Sequence, residues 1–165
     1  MEIRTFIETK AGTFPVHYRD VSNWEEIDSE KVHHVGAYCF CDGKFIVVHN
    51  ESKHRNHWTP PGGGREAGES AAEATVREIA EESNMRVLKQ IPIGYQEITE
   101  PHRTTIQTRS FCLVEPIGPF ESDPDGDITE ISLIDPADSK RYFDWGKVGD
   151  HVMSRALELL AQEKK

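Results

Sequence analysis

The sequence contains few cysteines and no long apolar run. Three cysteines, Cys39, Cys41 and Cys112, occur in 165 residues, and their number and spacing are not those of a disulfide framework or a zinc site. We predict that they are small packing residues in a reducing compartment. No apolar run approaches the length of a membrane span, and residues 1–10 lack the basic start and apolar run of a signal peptide. The sequence therefore predicts a cytoplasmic protein that does not contact membranes.

Positive charge is also scarce. The 19 Lys and Arg residues stand against 29 Asp and Glu residues, which gives a net charge of −10. A protein that coats nucleic acid needs a basic surface to neutralise phosphates, so this balance argues against a nucleic-acid partner. It permits a small polyanionic substrate if metal ions screen the charge. The length of the chain suits a single domain, residues 1–165, with a core of its own.

Apolar patterns predict strands before and after a central helix, which is typical of an α+β fold. Tight turns are expected at residues 11–12 and 42–43, where Ala-Gly and Asp-Gly separate apolar runs. The predicted strands cover residues 2–9, 13–19, 32–41, 45–50, 86–99, 104–116 and 129–134.

Two further helices are expected outside the centre of the chain. Ser22 and Glu25 have the spacing of a capping box, which predicts a short helix that runs through Trp24 and Ile27. A final helix is predicted over residues 148–162. Its apolar residues form one stripe that we expect to pack on the core, namely Val148, Val152, Ala156, Leu159 and Leu160.

The central helix is predicted over residues 71–83. Ser70 and Glu73 form a capping box at its start, and alanines, which are strong helix formers, follow Ser70. Asn84 stands where the chain must leave the helix, and Asn tolerates the left-handed conformation of a helix end.

Three glutamates on this helix form an acidic cluster. Because a helix turns 100° per residue, Glu78, Glu81 and Glu82 project from one face within an arc of about 100°. Their mutual repulsion and the helix macrodipole both disfavour this arrangement. A solvated acidic face is the plain interpretation. The alternative is a site for a hard divalent cation, Mg²⁺ or Mn²⁺, which binds carboxylate oxygens together with substrate phosphates.

Arg77 lies beside this cluster. Glu73 and Glu81 are four residues to either side of it, so its planar guanidinium is expected to bridge the two carboxylates. The alternative is an ordinary surface salt bridge that contributes little.

These residues match a family motif. The spacing from Gly63 to Met85 resembles the box of the Nudix (MutT-like) hydrolases, and the lead-in at residues 58–63 is also similar to the family. One position departs, because Asn84 stands where the family usually has Gly, and Asn suits the same backbone geometry. Six fixed positions of the box agree with the motif, namely Gly63, Glu69, Arg77, Glu78, Glu81 and Glu82.

The resemblance implies a fold and a reaction. The fold would be a Nudix-like α/β/α sandwich with a mixed central sheet and a loop-helix-loop box. Residues 32–165 would form its core. Residues 1–30 precede this core as an extension of a hairpin and a short helix, for which the open roles are a homodimer contact and a lid. The reaction would be metal-assisted hydrolysis of a phosphoanhydride in a nucleoside diphosphate linked to another group.

The resemblance also implies roles for individual residues. Mg²⁺ would bind the three box glutamates and the carbonyl of Gly63, and Glu69 would anchor the loop or the start of the helix. The general base stays open between a box glutamate and an acid of a distant loop. The distant candidates are Glu121, Asp123, Asp127 and Glu130, of which we favour Glu130.

The substrate is the least determined part of the prediction. Pro101 lies sixteen residues after Met85, which is similar to a marker of the ADP-ribose pyrophosphatase branch. We expect His57, Arg65 and Arg103 to contact a small nucleotide substrate, although loops such as residues 49–58 and 99–104 are usually solvated. The alternatives are a nucleoside triphosphate substrate, a Nudix-like isomerase and a non-catalytic ligand-binding module.

Overall fold

The computed structural model describes residues 1–51, 57–121 and 126–164, which form one sheet with a helix on each face. The helices are α1 (Ala71–Ser83) and α2 (Gly146–Glu163). The strands are β1 (Glu2–Thr9), β2 (Gly12–Asp20), β3 (His34–Cys41), β4 (Lys44–Asn50), β5 (His57–Thr59), β6 (Gly62–Gly64), β7 (Met85–Thr99), β8 (Thr104–Pro116) and β9 (Ile128–Ile134).

The sheet is mixed, as predicted. Its strand order is β1-β2-β7-β8-β3-β4-β5, with β6 paired to β3 and β9 paired to β4. β3 and β8 run parallel, from His34 opposite Gln107 to Phe40 opposite Leu113. The other strand pairs are antiparallel.

Each face of the sheet packs against one helix. On one face, Val148, Val152 and Ala156 of α2 are buried against Tyr38 and Phe40. This stripe was predicted, and Leu159 and Leu160 also pack against the same cluster. On the opposite face, Ile79 of α1 packs with the intervening β3 residues, Ala37 and Cys39, because successive side chains of a strand point to opposite faces. The predicted α/β/α sandwich is confirmed.

The N-terminal segment is a hairpin followed by short helical turns. β1 and β2 pair along their whole length, as predicted. The short helix is a 3₁₀ turn, Trp24–Glu26, and its capping box is formed by Asn23 and Glu26. The prediction of Ser22 and Glu25 was therefore wrong by one residue, because Asn is at least as good an N-cap as Ser.

The chain between β4 and α1 enters a gap in the sheet. β3 and β4 pair only beside their turn, where Asp42 and Gly43 both have positive φ. Beyond that point the two strands separate. β5 pairs with β4, and β6 pairs with β3. Between them Pro60 and Pro61 are buried. This path places the glycines of β6 next to the centre of the sheet.

Cys39, Cys41 and Cys112 are buried and free, as predicted. Among the helices of the described residues, none combines the length and apolar character needed to cross a membrane.

Candidate active site

The start and end of α1 are fixed by local hydrogen bonds. The Ser70 hydroxyl accepts from the Glu73 backbone N–H at 3.0 Å, and the Glu73 carboxylate accepts from the Ser70 N–H at 3.1 Å. At the other end, Asn84 adopts the left-handed conformation with φ of 52°. Its side-chain amide donates to the Pro119 carbonyl at 2.7 Å. Both ends of the helix follow the prediction.

Glu82 points from α1 into the sheet and is buried. One of its carboxylate oxygens accepts from the backbone N–H of Gly62 at 2.6 Å. Hydrogen bonds to an ionised acceptor are short and about twice as strong as neutral ones. Glu82 therefore joins the helix to the glycine strand and is not part of a solvated acidic face.

Glu78 lies directly against Gly63. A Cβ atom on Gly63 would come within 2.4 Å of the Glu78 carboxylate. Only glycine lets the main chain of β6 approach this side chain so closely. The Glu78 side chain is 13% exposed, so the contact places a carboxylate in a partly buried position beside the main chain of β6.

Arg77 joins the acidic side chains to the loop before the helix. Its guanidinium donates to Glu69 at 2.7 and 2.9 Å, to Glu78 at 3.0 Å and to Glu81 at 3.2 Å. A further bond reaches the carbonyl of Gly64 at 2.8 Å. The predicted contact with Glu81 is present. The predicted contact with Glu73 was wrong, because that carboxylate is engaged in the helix cap.

Glu69 anchors the loop, as the family resemblance implied. Besides the two bonds from Arg77, it accepts from the backbone N–H of Glu66 at 2.8 Å. The hydrogen bonds from Arg77 lower the pKa of Glu69 from 4.5 to about 2. In return, the hydrogen bonds to Glu69 raise the pKa of Arg77. Both groups are therefore charged across the physiological pH range.

Arg65 bonds to the protein main chain, whereas we predicted that it contacts substrate. Its guanidinium donates to the main-chain carbonyls of Val32 at 2.8 Å, Glu66 at 3.0 Å, Glu69 at 2.9 Å and Glu30 at 3.2 Å. Four of its five N–H groups are thereby occupied. The prediction that Arg65 contacts substrate is not supported, because these bonds hold the loop against residues 30–32.

Glu130, our preferred general base, is not brought to the glutamates of α1. Its neighbour Ile131 pairs with Val48 and packs on the α1 side of the sheet. Glu130 pairs with His49 and so points to the opposite side. Of the other distant candidates, Glu121 and Asp127 are exposed, and Asp123 lies outside the described residues.

The other two predicted substrate contacts are exposed. His57 begins β5 opposite Asn50. Arg103 is in the turn between β7 and β8, where it pairs with Glu100 at 3.1 Å. Arg103 lies six positions before Arg109, and Arg109 shares a row of paired residues with Gly36 and Gly62. Arg103 therefore lies about 20 Å from Gly62 along the direction of β8. Lys53, His54 and Arg55 of the polar loop lie outside the described residues.

The donor groups around Gly63 suit a hard divalent cation. Carboxylates and a main-chain carbonyl are the ligands that Mg²⁺ prefers, and the absence of a side chain on Gly63 lets Glu78 reach that main chain. Within the ranges that the structure describes, no three acidic, His or Cys side chains are already gathered around one point. Instead, the carboxylates of Glu78 and Glu81 accept hydrogen bonds from Arg77. Mg²⁺ therefore fits these residues if it competes with Arg77 for their oxygens.

One contact of the candidate site was missed by sequence reasoning. The backbone N–H of Gly62 is the hydrogen-bond partner of Glu82, and a Cβ on Gly62 would lie 2.2 Å from the Val35 carbonyl. The run of three glycines at residues 62–64 was the available signal. Which of the three must be glycine, and why, depends on contacts with β3 and α1 that a sequence does not show.

Comparison with known proteins agrees with this geometry. The NUDIX domain model matches residues 31–154, and a search of curated proteins found no significant match. A mutant form of the pyrophosphohydrolase BsRppH of Bacillus subtilis is similar, with 20% identity, a TM-score of 0.63 and coverage of 79% of this chain and 77% of that one.

Two further solved structures are also similar. A NUDIX hydrolase from Nitrosomonas europaea has 19% identity and a TM-score of 0.61, with coverage of 82% and 92%. A MutT structure from work on Aliivibrio salmonicida and Vibrio cholerae has 24% identity and a TM-score of 0.54, with coverage of 78% and 98%. At these identities the likeness shows the fold.

The chain belongs to the NUDIX domain family, because the family model covers most of its length. It is a Nudix pyrophosphohydrolase. Members of this family generally use divalent metals and act on small nucleotide-type substrates.

Proposed function

We propose that this protein is a Mg²⁺-dependent hydrolase that cleaves a phosphoanhydride bond in a nucleoside diphosphate linked to a second group. One observation carries the proposal. Glu78 and Glu82 contact two consecutive glycines, Gly63 and Gly62, from the same helix. The helix thus presents two partly buried carboxylates to one short stretch of main chain. Burial of a carboxylate carries a desolvation cost that offsets the gain from its hydrogen bonds. Two such carboxylates beside one stretch of main chain are suited to holding a cation against phosphates.

The protein's own residues have distinct tasks in this reaction. Glu78, Glu81 and Glu82 would hold Mg²⁺ together with the Gly63 carbonyl. When bound, Mg²⁺ would neutralise phosphate oxygens and lower the pKa of a water molecule. Arg77 orients Glu78 and Glu81 and ties them to Glu69, so that the carboxylates keep their positions on the helix. Arg65 holds the loop through main-chain carbonyls.

For the substrate, we favour a nucleotide sugar of the ADP-ribose type. The support is the position of Pro101, sixteen residues after Met85, which is similar to the marker of that branch. The net charge of −10 opposes a nucleic-acid partner and permits a small nucleotide if metal ions screen the charge. Its few cysteines, all buried and free, are consistent with action in the cytoplasm.

A nucleoside triphosphate is the second candidate substrate. It shares the phosphoanhydride chemistry, so the same carboxylates would serve it. A non-catalytic binding module is disfavoured, because the chain keeps all six fixed positions of the box.

Catalytic efficiency across a substrate panel tests the substrate assignment. The panel contains ADP-ribose, other nucleotide sugars, dinucleoside polyphosphates and the common nucleoside triphosphates, each with Mg²⁺. Because efficiency reports differential binding of transition states, we expect a nucleotide sugar to rank first. A triphosphate that leads by more than about tenfold, equivalent to about 1.4 kcal/mol, would overturn the substrate choice and leave the hydrolase assignment intact.

A further inference from the structure

The strand β1 is an open edge of the sheet. It pairs with β2 on one side, from Glu2 opposite Arg19 to Thr9 opposite Gly12, and it is the first strand in the sheet order. The Asp20 N–H donates to the Met1 carbonyl at 3.0 Å, which fixes the odd-numbered residues of β1 as those bonded to β2. In an antiparallel pair this alternation leaves the N–H and C=O groups of the even-numbered residues pointing outward.

Among the described residues, this edge lacks most of the features that usually prevent edge-to-edge pairing. Proteins protect open edges with Pro, charged side chains (especially Lys), bulges or very short strands. β1 has eight residues, contains neither Pro nor Lys, and keeps a continuous register with β2. The charged side chains of β1, Glu2, Arg4 and Glu8, are of both signs. They disfavour a strand with unmatched charges and permit a strand whose charges are complementary.

The side chains beside the outward groups are exposed. Phe6 is 69% exposed and is one of the most exposed large apolar side chains in the described residues. Arg4 and Glu8 flank it two residues away and are also exposed. Among the ion pairs of residues 1–51, 57–121 and 126–164, none involves Arg4 or Glu8. Ile3 and Ile7 point to the other side and pack on the core.

We propose that two copies of this chain associate by antiparallel pairing of β1 with β1 of the partner, about a twofold axis at Phe6. In this register Phe6 lies opposite its own copy. Arg4 of each protomer lies opposite Glu8 of the other, which gives two ion pairs. Glu2 lies opposite Lys10, which again joins opposite charges. All of these facing pairs fall on even-numbered residues, whose main-chain groups point outward, so the register also satisfies the hydrogen bonds.

Repulsion between like charges disfavours the registers on either side of this one. A twofold axis at Thr5 would place Glu2 opposite Glu8, and an axis at Arg4 would place that residue opposite its own copy. An axis at Ile7 would place Arg4 opposite Lys10. Like charges directly opposite each other are destabilising. The axis at Phe6 is the arrangement in which every charged residue of the strand and its turn meets an opposite charge.

The resulting assembly is an isologous dimer with a sheet that continues across both copies. One strand on each side buries a small interface, so we expect a weak, concentration-dependent dimer with a dissociation constant in the micromolar range. This inference concerns a surface remote from the glutamates of α1 and does not depend on the proposed function.

A charge-swap experiment tests both the edge and the register. Sedimentation velocity of the full chain should show a dimer as its concentration rises to about 100 µM. Arg4→Glu and Glu8→Arg should each raise the dissociation constant at least tenfold, because each places two like-charge pairs at the interface. An equimolar mixture of the two variants should form a heterodimer, because each carries the charges that complement the other.

Two controls separate the edge from general charge effects. Arg141→Glu and Glu158→Arg make the same charge changes at exposed positions outside β1 and should leave the dissociation constant unchanged. Melting temperatures of all variants check that the fold is kept. A wild-type chain that stays monomeric, a single variant that dimerises like wild type, or a mixture that does not associate would each overturn the proposal.

Discussion

The Glu78 carboxylate occupies the space that a side chain on Gly63 would need. A Cβ there would lie 2.4 Å from the carboxylate carbon, so the two residues can coexist only because one of them is glycine. The neighbours of Gly63 in the same strand have different surroundings. Substituting alanine for each glycine of residues 62–64 in turn therefore tests the role of each one separately.

Gly63→Ala should reduce turnover while the fold is kept. The new methyl group meets the end of the flexible Glu78 side chain. The substitution should therefore displace the Glu78 carboxylate more than it strains the main chain. A displacement of about 1 Å at a catalytic group can lower the rate about 100-fold. Turnover with Mg²⁺ and the melting temperature, measured on the same samples, check this expectation. Full activity in the variant would show that the placement of Glu78 is not critical.

The flanking glycines provide matched controls. A Cβ on Gly62 would lie 2.2 Å from the Val35 carbonyl, which is main chain and cannot move aside cheaply. Gly62→Ala should therefore lower the free energy of unfolding as well as activity. A Cβ on Gly64 would meet only the His33 carbonyl at 3.9 Å, so Gly64→Ala should change neither quantity much. Equal behaviour of the three variants would contradict this assignment.

Arg77→Lys should destabilise the protein more than an ordinary Arg-to-Lys change. Lys cannot reproduce the planar fork that joins Glu69, Glu78 and Glu81. Hydrogen bonds to charged groups contribute about 1.5–3 kcal/mol each when partly buried, and we expect a loss in that range from urea unfolding. Arg86→Lys is the control, because Arg86 and Glu115 form an exposed pair that is expected to contribute less than about 1 kcal/mol. Equal losses for the two variants would contradict the role of Arg77.

Glu69 should make stability depend on pH in the acidic range. Its pKa is lowered from 4.5 to about 2 in the folded protein, so the unfolded chain binds the proton more readily. The stabilisation is fully present above the unfolded value and is lost as the pH falls from 4.5 toward 2. The difference in unfolding free energy between wild type and Glu69→Gln should therefore be large at about pH 6 and should shrink below about pH 4. A difference that stays constant over this range would mean that the carboxylate of Glu69 is not what stabilises the loop.

Much of the fold and of the site could be predicted from local sequence signals. The capping box of Ser70 and Glu73, the left-handed Asn84 and the glutamates on one helical face depend on neighbours within four residues. Three errors about the site arose where the partner is distant in sequence. Arg65 bonds to carbonyls at residues 30 and 32, and the direction of Glu130 depends on its register with β4. Arg77 bonds to Glu69, eight residues away, because the Glu73 carboxylate is hydrogen-bonded within the helix cap.

Mg²⁺ should raise the melting temperature of the wild-type protein. A ligand that binds only the native state stabilises it by mass action, and here it also relieves repulsion between the carboxylates of α1. Na⁺ at matched ionic strength serves as the control for screening. A shift with Mg²⁺ that is no larger than the shift with Na⁺ would indicate that the glutamates do not bind the metal.

The most direct test of the account is Mg²⁺-dependent hydrolysis by wild type and by Glu82→Gln, measured with ADP-ribose and the nucleotide panel on the same preparations. The amide can still accept from the Gly62 N–H but removes the charge that would hold the cation. We expect wild type to release nucleoside monophosphate, and the variant to lose most of the turnover while its metal-free form is at least as stable as wild type. Full turnover in Glu82→Gln, or no hydrolysis of any of these nucleotides by wild type, would contradict the account.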